Sequence, residues 1–189
     1  EDPPAVLAQA VLSANHAILN TYENNPELTG MAATCVTFLI KDQRLYLANL
    51  GDSRAYLVRN GKAHQLTFDH TWLEDSIGME FGARSGITRD HPLAHVLSRY
   101  LGSPQTPEID LRIQPIKGQS KPNKMNNGLP LKSGDRLLLC SDGVTDLLKE
   151  EQIAGNMTCP SARKSAQKLV LAALEKGGHD NASVVVIYL

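Results

Sequence analysis

Cysteine is scarce in this sequence: Cys35, Cys140 and Cys159 are the only three in 189 residues, far apart and without CxxC spacing. An odd number with no paired pattern excludes a disulfide framework and reads as reduced thiols in a cytoplasmic protein. Long hydrophobic runs are missing as well. None approaches the roughly 18 residues a membrane span needs, and no charged segment leads into an apolar stretch as in a signal peptide. Excess charge of one sign is absent, with 19 Lys and Arg against 20 Asp and Glu and a formal net charge of -1. No global field therefore draws the chain to nucleic acid or to an acidic membrane. The six histidines, His16, His64, His70, His91, His95 and His179, are scattered, and none forms the i, i+4 pair with a glutamate that a zinc helix needs. They read as surface or packing residues, with His70, next to Asp69, the exception to watch. What remains is a chain long enough to bury a core unaided, expected to form one domain over residues 1–189.

The first segment reads as a helix. Asp2 precedes Pro3 and Pro4 as an N-cap precedes a first-turn proline, and Val6, Leu7, Ala10, Val11, Ala14, Ile18 and Tyr22 recur at helical spacing until Asn24-Asn25-Pro26. Beyond Gly30, residues 34–40, 44–50 and 54–58 are short, aliphatic and β-branched runs divided by Lys41-Asp42 and Gly51-Asp52, which predicts consecutive antiparallel strands. Asn60-Gly61 predicts a type I′ hairpin returning through residues 62–67. Residues 69–102 carry Gly78, Gly82 and Gly86, a glycine-rich excursion, and then Leu93, Val96, Leu97, Tyr100 and Leu101 at helical spacing. A strand is expected over 109–116, a polar loop over 117–128, a strand over 136–140, a short helix over 144–149, a helix over 161–176 and a closing strand over 183–189. Strands and helices fall in blocks rather than in βαβ alternation, which indicates an α+β layered fold with antiparallel sheet. There is no internal repeat.

Three aspartates stand at strand ends beside Gly, Ser or Asn: Gly51-Asp52-Ser53, Ser141-Asp142-Gly143 and His179-Asp180-Asn181. Taken singly, each is an ordinary turn residue. The flanks single out two of them: Asp142 follows an apolar run and precedes Gly, and Asp180 lies between a helix end and an apolar strand. Two carboxylates on neighbouring strand ends are suited to a pair of hard divalent cations, about 3.5 to 4 Å apart, that activate a water against a phosphoryl centre. Asp146 follows Asp142 by four residues, one helical turn, and so shares its face.

Read in order, residues 49–56 (NLGDSRAY), 66–70 (LTFDH), 98–102 (SRYLG), 134–143 (GDRLLLCSDG) and Asp180-Asn181 resemble the ordered motifs of the PPM (PP2C-like) metal-dependent serine/threonine protein phosphatases, especially the bacterial branch. The likeness covers residues 30–189. It implies a β-sandwich flanked by helices in α-β-β-α layers, a centre of two or three Mn²⁺ or Mg²⁺ ions, and hydrolysis of phosphoserine and phosphothreonine in a phosphoprotein by a metal-activated water. Carried over, Asp142 and Asp180 match the core metal ligands, and Asp69 and Asp146 match ligands of a weaker third ion. Asn181 and Gly143 match supporting positions beside them. Gly51, Asp52, Ser53 and Arg54 match a structural turn beneath the site, and residues 74–91 match a flap bordering the substrate cleft. Arg84, Arg89 and Arg99 are of a type that docks phosphoproteins by bidentate contacts, though solvated surface arginines are the commoner outcome.

The pattern departs from the family in three respects. The Asp-Gly-x-Gly-Gly-type motif that supplies a carboxylate bridging both metals has no counterpart here, nor does the phosphate-binding arginine usual before it, and Ala32 and Ala33 stand where Gly and Thr are common. The chain is expected to begin just after that motif, at the helix over residues 5–22. Two readings follow: a phosphatase, or a catalytically inactive pseudophosphatase that acts as a protein-binding module. A sheet edge left without its neighbour is further expected to favour a dimer.

Overall fold

The computed structural model describes residues 2–78, 91–116 and 127–189. Helix α1 spans Pro3–Asn24, with Pro at its first turn, and a 3-10 turn follows at Pro26–Leu28. Strands β1 (Cys35–Lys41) and β2 (Arg44–Leu50) form a tight hairpin whose two central residues, Asp42 and Gln43, both have positive φ, 50° and 56°. β3 (Arg54–Arg59) and β4 (Lys62–Gln65) form a second hairpin through Asn60 and Gly61, at φ 53° and 72°, as the Asn-Gly signal requires. The first hairpin joins β5 (Leu129–Pro130) in a sheet of order β1-β2-β5. The second joins β6 (Arg136–Cys140) and β7 (Val184–Tyr188) in the order β4-β3-β6-β7.

Two aliphatic-rich sheets with alternating side chains stack only if each strand offers one face to the other sheet. Leu45 and Leu47 of β2, Ala55 and Leu57 of β3, and Leu137 of β6 do so, buried together with Leu66 and Ile113. The opposite faces are also apolar, and they recruit helices. On one side Leu7 and Val11 of α1 cover Ala48 and Leu50. On the other, Tyr56, Val58, Leu138 and Cys140 are covered from α3 (Asp142–Thr145), α4 (Glu150–Asn156) and α5 (Ala162–Glu175), chiefly by Val144, Ile153 and Leu169. The layers therefore run α-β-β-α, as expected. Each such leucine contributes about 2 kcal/mol by leaving water. Val185 at 55% and Leu189 at 42% exposure leave the β7 end of the second sheet comparatively bare.

Five expectations change. The short helix expected over 144–149 is replaced by two, α3 and α4, with residues 146–149 between them outside any helix. β2 and β3 are consecutive but do not pair; Gly51, at φ 110°, carries the chain from one sheet into the other. The helical spacing over 93–101 produces no helix, because those backbone groups bond to other segments: Trp72 N–H to the Val96 carbonyl at 2.9 Å, Ser98 N–H to His70 at 3.0 Å, and Ala33 with Leu101 in both directions. Residues 109–116 likewise form no strand, only isolated bridge residues at Asp110, which pairs with Asn49, and at Ile113. A helix that was not expected, α2, spans Trp72–Gly78. Most of the loop over 117–128 and most of the flap over 74–91, including Arg84 and Arg89, lie outside the described residues.

Candidate metal centre

The central strand β6 determines where Asp142 points. Its pairing with β7 ends at Cys140 and Val184, and the two chains stay tied beyond it. Ser141 N–H donates to the Ser183 carbonyl at 3.1 Å, Ser183 N–H donates to Ser141 Oγ at 3.0 Å, and Ser141 Oγ–H donates to the Asn181 carbonyl at 3.1 Å. Gly143 then passes so close to that carbonyl that a Cβ on it would lie 2.5 Å from the Asn181 oxygen. The Asp142-Gly143 and Asp180-Asn181 turns are thus held against each other. Each aspartate is oriented by the next residue's backbone: Gly143 N–H donates to Asp142 Oδ1 at 2.8 Å, and Asn181 N–H donates to Asp180 Oδ1 at 2.7 Å. Asp146 sits one helical turn on, its N–H bonded to the Asp142 carbonyl at 2.9 Å.

A third turn faces the Asp142 side of this pair. Asp52 follows the sheet-crossing Gly51, where a Cβ would overlap the Thr34 side chain. Thr34 and Ser53 hydroxyls bond at 2.8 Å and fasten the turn to the start of β1. Asp52, Asp69, Asp142, Thr145 and Asp146 line one cavity of about 470 Å³. The Asp52 carboxyl is pushed above its ordinary value, first by burial and then by the negative charge of Asp142, with smaller contributions from Asp69 and Asp146 and a backbone hydrogen bond working the other way. Asp52 therefore belongs electrostatically to the carboxylate cluster. Asp69 is differently employed: Arg54 Nε donates to both its oxygens, at 2.9 and 3.0 Å, Arg54 Nη2 donates at 2.5 Å, and Gln65 Nε2 donates at 3.0 Å. A second cavity of about 990 Å³ adjoins, sharing Arg54, Asp69, Glu74, Thr145 and Asp146, and also taking in Arg99 and Arg112.

These donors suit a hard divalent cation, since they are carboxylate oxygens whose mutual repulsion a cation relieves. Thr145 Oγ1, buried without a hydrogen-bond partner among the described residues, adds an unused oxygen to the same cavity. Among the described residues no three His, Cys, Asp or Glu side chains already converge on one point. The chemistry of the set fits a cation.

The protein phosphatase 2C family model matches residues 1–75. The crystal structure of the Mycobacterium tuberculosis serine/threonine phosphatase PstP superposes with a TM-score of 0.77 at 34% identity, over 98% of this chain and 72% of that one. The chain belongs to the PPM (PP2C-like) family. A Mycobacterium smegmatis PPM Ser-Thr phosphatase in complex with cacodylate is similar at 31% identity and a TM-score of 0.69, over 96% of this chain and 72% of that one. The PstP catalytic domain in complex with two manganese ions matches at 34% identity and a TM-score of 0.75, over 98% and 70% of the two chains. Against curated proteins, this PPM chain is 34% identical over 183 residues to M. tuberculosis PstP and 28% identical to the serine/threonine phosphatase stp of Listeria welshimeri. It spans 32% of the length of the first and 66% of the second.

Within this PPM chain the close approach of Gly143 to the Asn181 carbonyl sets the Asp142 and Asp180 turns against each other. Asp146 shares the Asp142 cavity, whereas Asp180 is exposed and is not among the residues that line it. Gly51, Ser53 and Arg54 shape the turn beneath. Sequence reasoning placed Asp52 with the structural turn and missed its approach to Asp142, because that approach depends on a chain crossing between sheets. It also missed α2, whose Thr71-Trp72-Leu73-Glu74 start is a capping signature; Glu74 N–H does bond to Thr71 Oγ1, at 3.4 Å.

Proposed function

We propose that this chain is the phosphohydrolase portion of a metal-dependent serine/threonine protein phosphatase, acting on phosphoserine and phosphothreonine of a phosphoprotein with Mn²⁺ or Mg²⁺. The observation that carries the proposal is the abutment of Gly143 on the Asn181 carbonyl, which sets Asp142 and Asp180 on adjoining turns. Asp142 and Asp180 would hold the core cations, and Asp146 a further one. We assign Asp52 to that further position in preference to Asp69, because Asp69 is already neutralised by Arg54 while Asp52 meets Asp142 without a cationic partner among the described residues. Bound cations supply Lewis-acid activation of a water and neutralise charge at the phosphoryl group. The chain's own work is positional. Gly143 N–H and Asn181 N–H each fix one oxygen of an aspartate. The 990 Å³ cleft beside Asp146 has the dimensions to receive the peptide around a phosphorylated residue.

Phosphate release from a phosphothreonine peptide, measured in Mn²⁺ and again in EDTA, tests the proposal. Release in Mn²⁺ alone supports it, and equal release in both sinks it. The pseudophosphatase reading has one observation in its favour, the lack of three convergent ligands among the described residues. It requires that calorimetry find no tight Mn²⁺ binding.

A further inference from the structure

His70 is 1% exposed, and both ring nitrogens are engaged. Nδ1 accepts the Gly51 N–H at 3.0 Å, while His70's own N–H donates to the Gly51 carbonyl at 3.1 Å. With Nδ1 an acceptor, the neutral ring carries its proton on Nε2, which meets Asp110 Oδ2 at 3.3 Å. Asp110, 4% exposed, is itself held: Arg112 Nε donates to its two oxygens at 2.9 and 3.1 Å, Arg112 Nη2 donates at 2.6 Å, and the Arg112 backbone N–H donates at 2.9 Å. The Arg112 guanidinium also lies 4.5 Å from the centroid of the Phe68 ring, over its face. The backbones of Asp110 and Asn49 exchange hydrogen bonds at 2.8 and 3.1 Å, and Asn49 Nδ2 reaches the Gly51 and Phe68 carbonyls at 3.3 and 2.8 Å. The residue that follows Gly51 in this turn is Asp52.

We propose that His70, locked by Asp110, is a positioning residue that holds the Gly51-Asp52 turn so that the Asp52 carboxylate faces Asp142 and Asp146. The physical need is clear from the charges. Asp52 is turned toward two other carboxylates with no cationic partner among the described residues, and a left-handed glycine on one side gives the turn freedom to swing away. A ring anchored on a buried, guanidinium-backed carboxylate removes that freedom without adding charge. Both ring nitrogens of His70 are committed to Gly51 and Asp110, so it acts through Asp52. The consequence for cation binding rests on the proposed function, whereas the clamp on the turn does not.

Two polar replacements separate the two bonds. In His70→Asn the side-chain oxygen takes the place of Nδ1 and still accepts from Gly51, but the chain is too short for Asp110. In His70→Gln the amide reaches toward Asp110 and abandons Gly51. Amide hydrogen exchange by NMR at Gly51, Asp52 and Ser53 is the first readout. H70Q is expected to speed exchange there by about tenfold, the worth of one backbone hydrogen bond, with H70N within a few fold of wild type and Leu138 and Val186 unchanged in both. Mn²⁺ affinity is the second. H70Q is expected to weaken it about tenfold in the wild-type background and not at all in Asp52→Asn, since two changes acting through one group are not additive. Unchanged exchange in H70Q, H70N behaving like H70Q, or additive losses with D52N would each overturn the inference. If the wild type binds no Mn²⁺, the proposed function fails and the exchange data alone decide the clamp.

Discussion

Asp69 gives both carboxylate oxygens to the Arg54 guanidinium, at 2.5 to 3.0 Å, with side-chain exposures of 11% and 24%. Burial opposes the Arg54 charge, and the Asp69 bonds outweigh it, so the guanidinium stays protonated. A pair so placed builds the wall of the cleft. Asp69→Asn should therefore cost about 2 kcal/mol in urea unfolding, less than a fully buried pair because both groups are partly hydrated. It should change Mn²⁺ affinity little, whereas Asp52→Asn should weaken it about tenfold. Calorimetry on the two variants checks the assignment; the reverse order would return Asp69 to the ligand set.

Gly143→Ala should destabilise the fold by about 1 to 3 kcal/mol, the range for forcing a methyl into a packed site. The added Cβ meets the Asn181 carbonyl, which cannot yield without moving Asp180. Denaturant unfolding reads the first effect, and a parallel drop in Mn²⁺ affinity reads the second. Gly155, with open space at its Cβ position, is the control: Gly155→Ala should be neutral or slightly stabilising within α4.

Acid should unfold the protein through two buried carboxylates. Burial raises the pKa of both Asp110 and Asp135. His70 and Arg112 outweigh it at Asp110, Arg59 and the Lys132 N–H outweigh it at Asp135, and both end below the ordinary value. A folded-state pKa below the unfolded one means stability that is complete above about pH 4 and is lost as pH falls toward the folded value. The unfolding free energy should thus decline steeply between about pH 4 and pH 2. Asp135→Asn should lower stability at pH 7 and flatten that decline; an unchanged slope would contradict the assignment.

Cys140 lies inside the helix-facing core of the second sheet, its Sγ 3.8 Å from the Arg54 carbonyl. Burial pushes its thiol up to about 12, with lesser upward contributions from Asp69 and Asp142 and a downward one from Arg54. The thiolate is the nucleophile, so iodoacetamide at pH 7.5 should leave Cys140 unmodified in the folded protein and label it after denaturation. Peptide mass mapping distinguishes the two.

Much of the fold was legible because local chemistry and tertiary packing agree. Asn60-Gly61, Ser161 ahead of α5 and the aliphatic run over 136–140 each do in the structure what their types favour. Where they disagree, packing decides. Leu93 and Val96 sit at helical spacing yet are about half exposed, and their backbones serve neighbouring segments. Asn15, on the apolar stripe of α1, is buried because its amide accepts from Gly102 N–H at 2.8 Å and donates to the Ser103 carbonyl at 3.4 Å. Of the site, Asp142, Gly143, Asp180 and Asn181 were legible as motifs. Asp52 was not, since a turn between two sheets looks the same in sequence as a turn within one. The roles of His70 and Asp110, 40 residues apart, emerge only from their meeting in space.

The most direct test of the central claim is phosphate release from a phosphothreonine peptide by wild-type protein and by Asp142→Asn, both in saturating Mn²⁺. The expected result is release by the wild type and a loss of at least about a hundredfold in the variant, as for removal of a ligand whose outer-shell partners alone are worth 10–100-fold. Equal rates in the two proteins would contradict it.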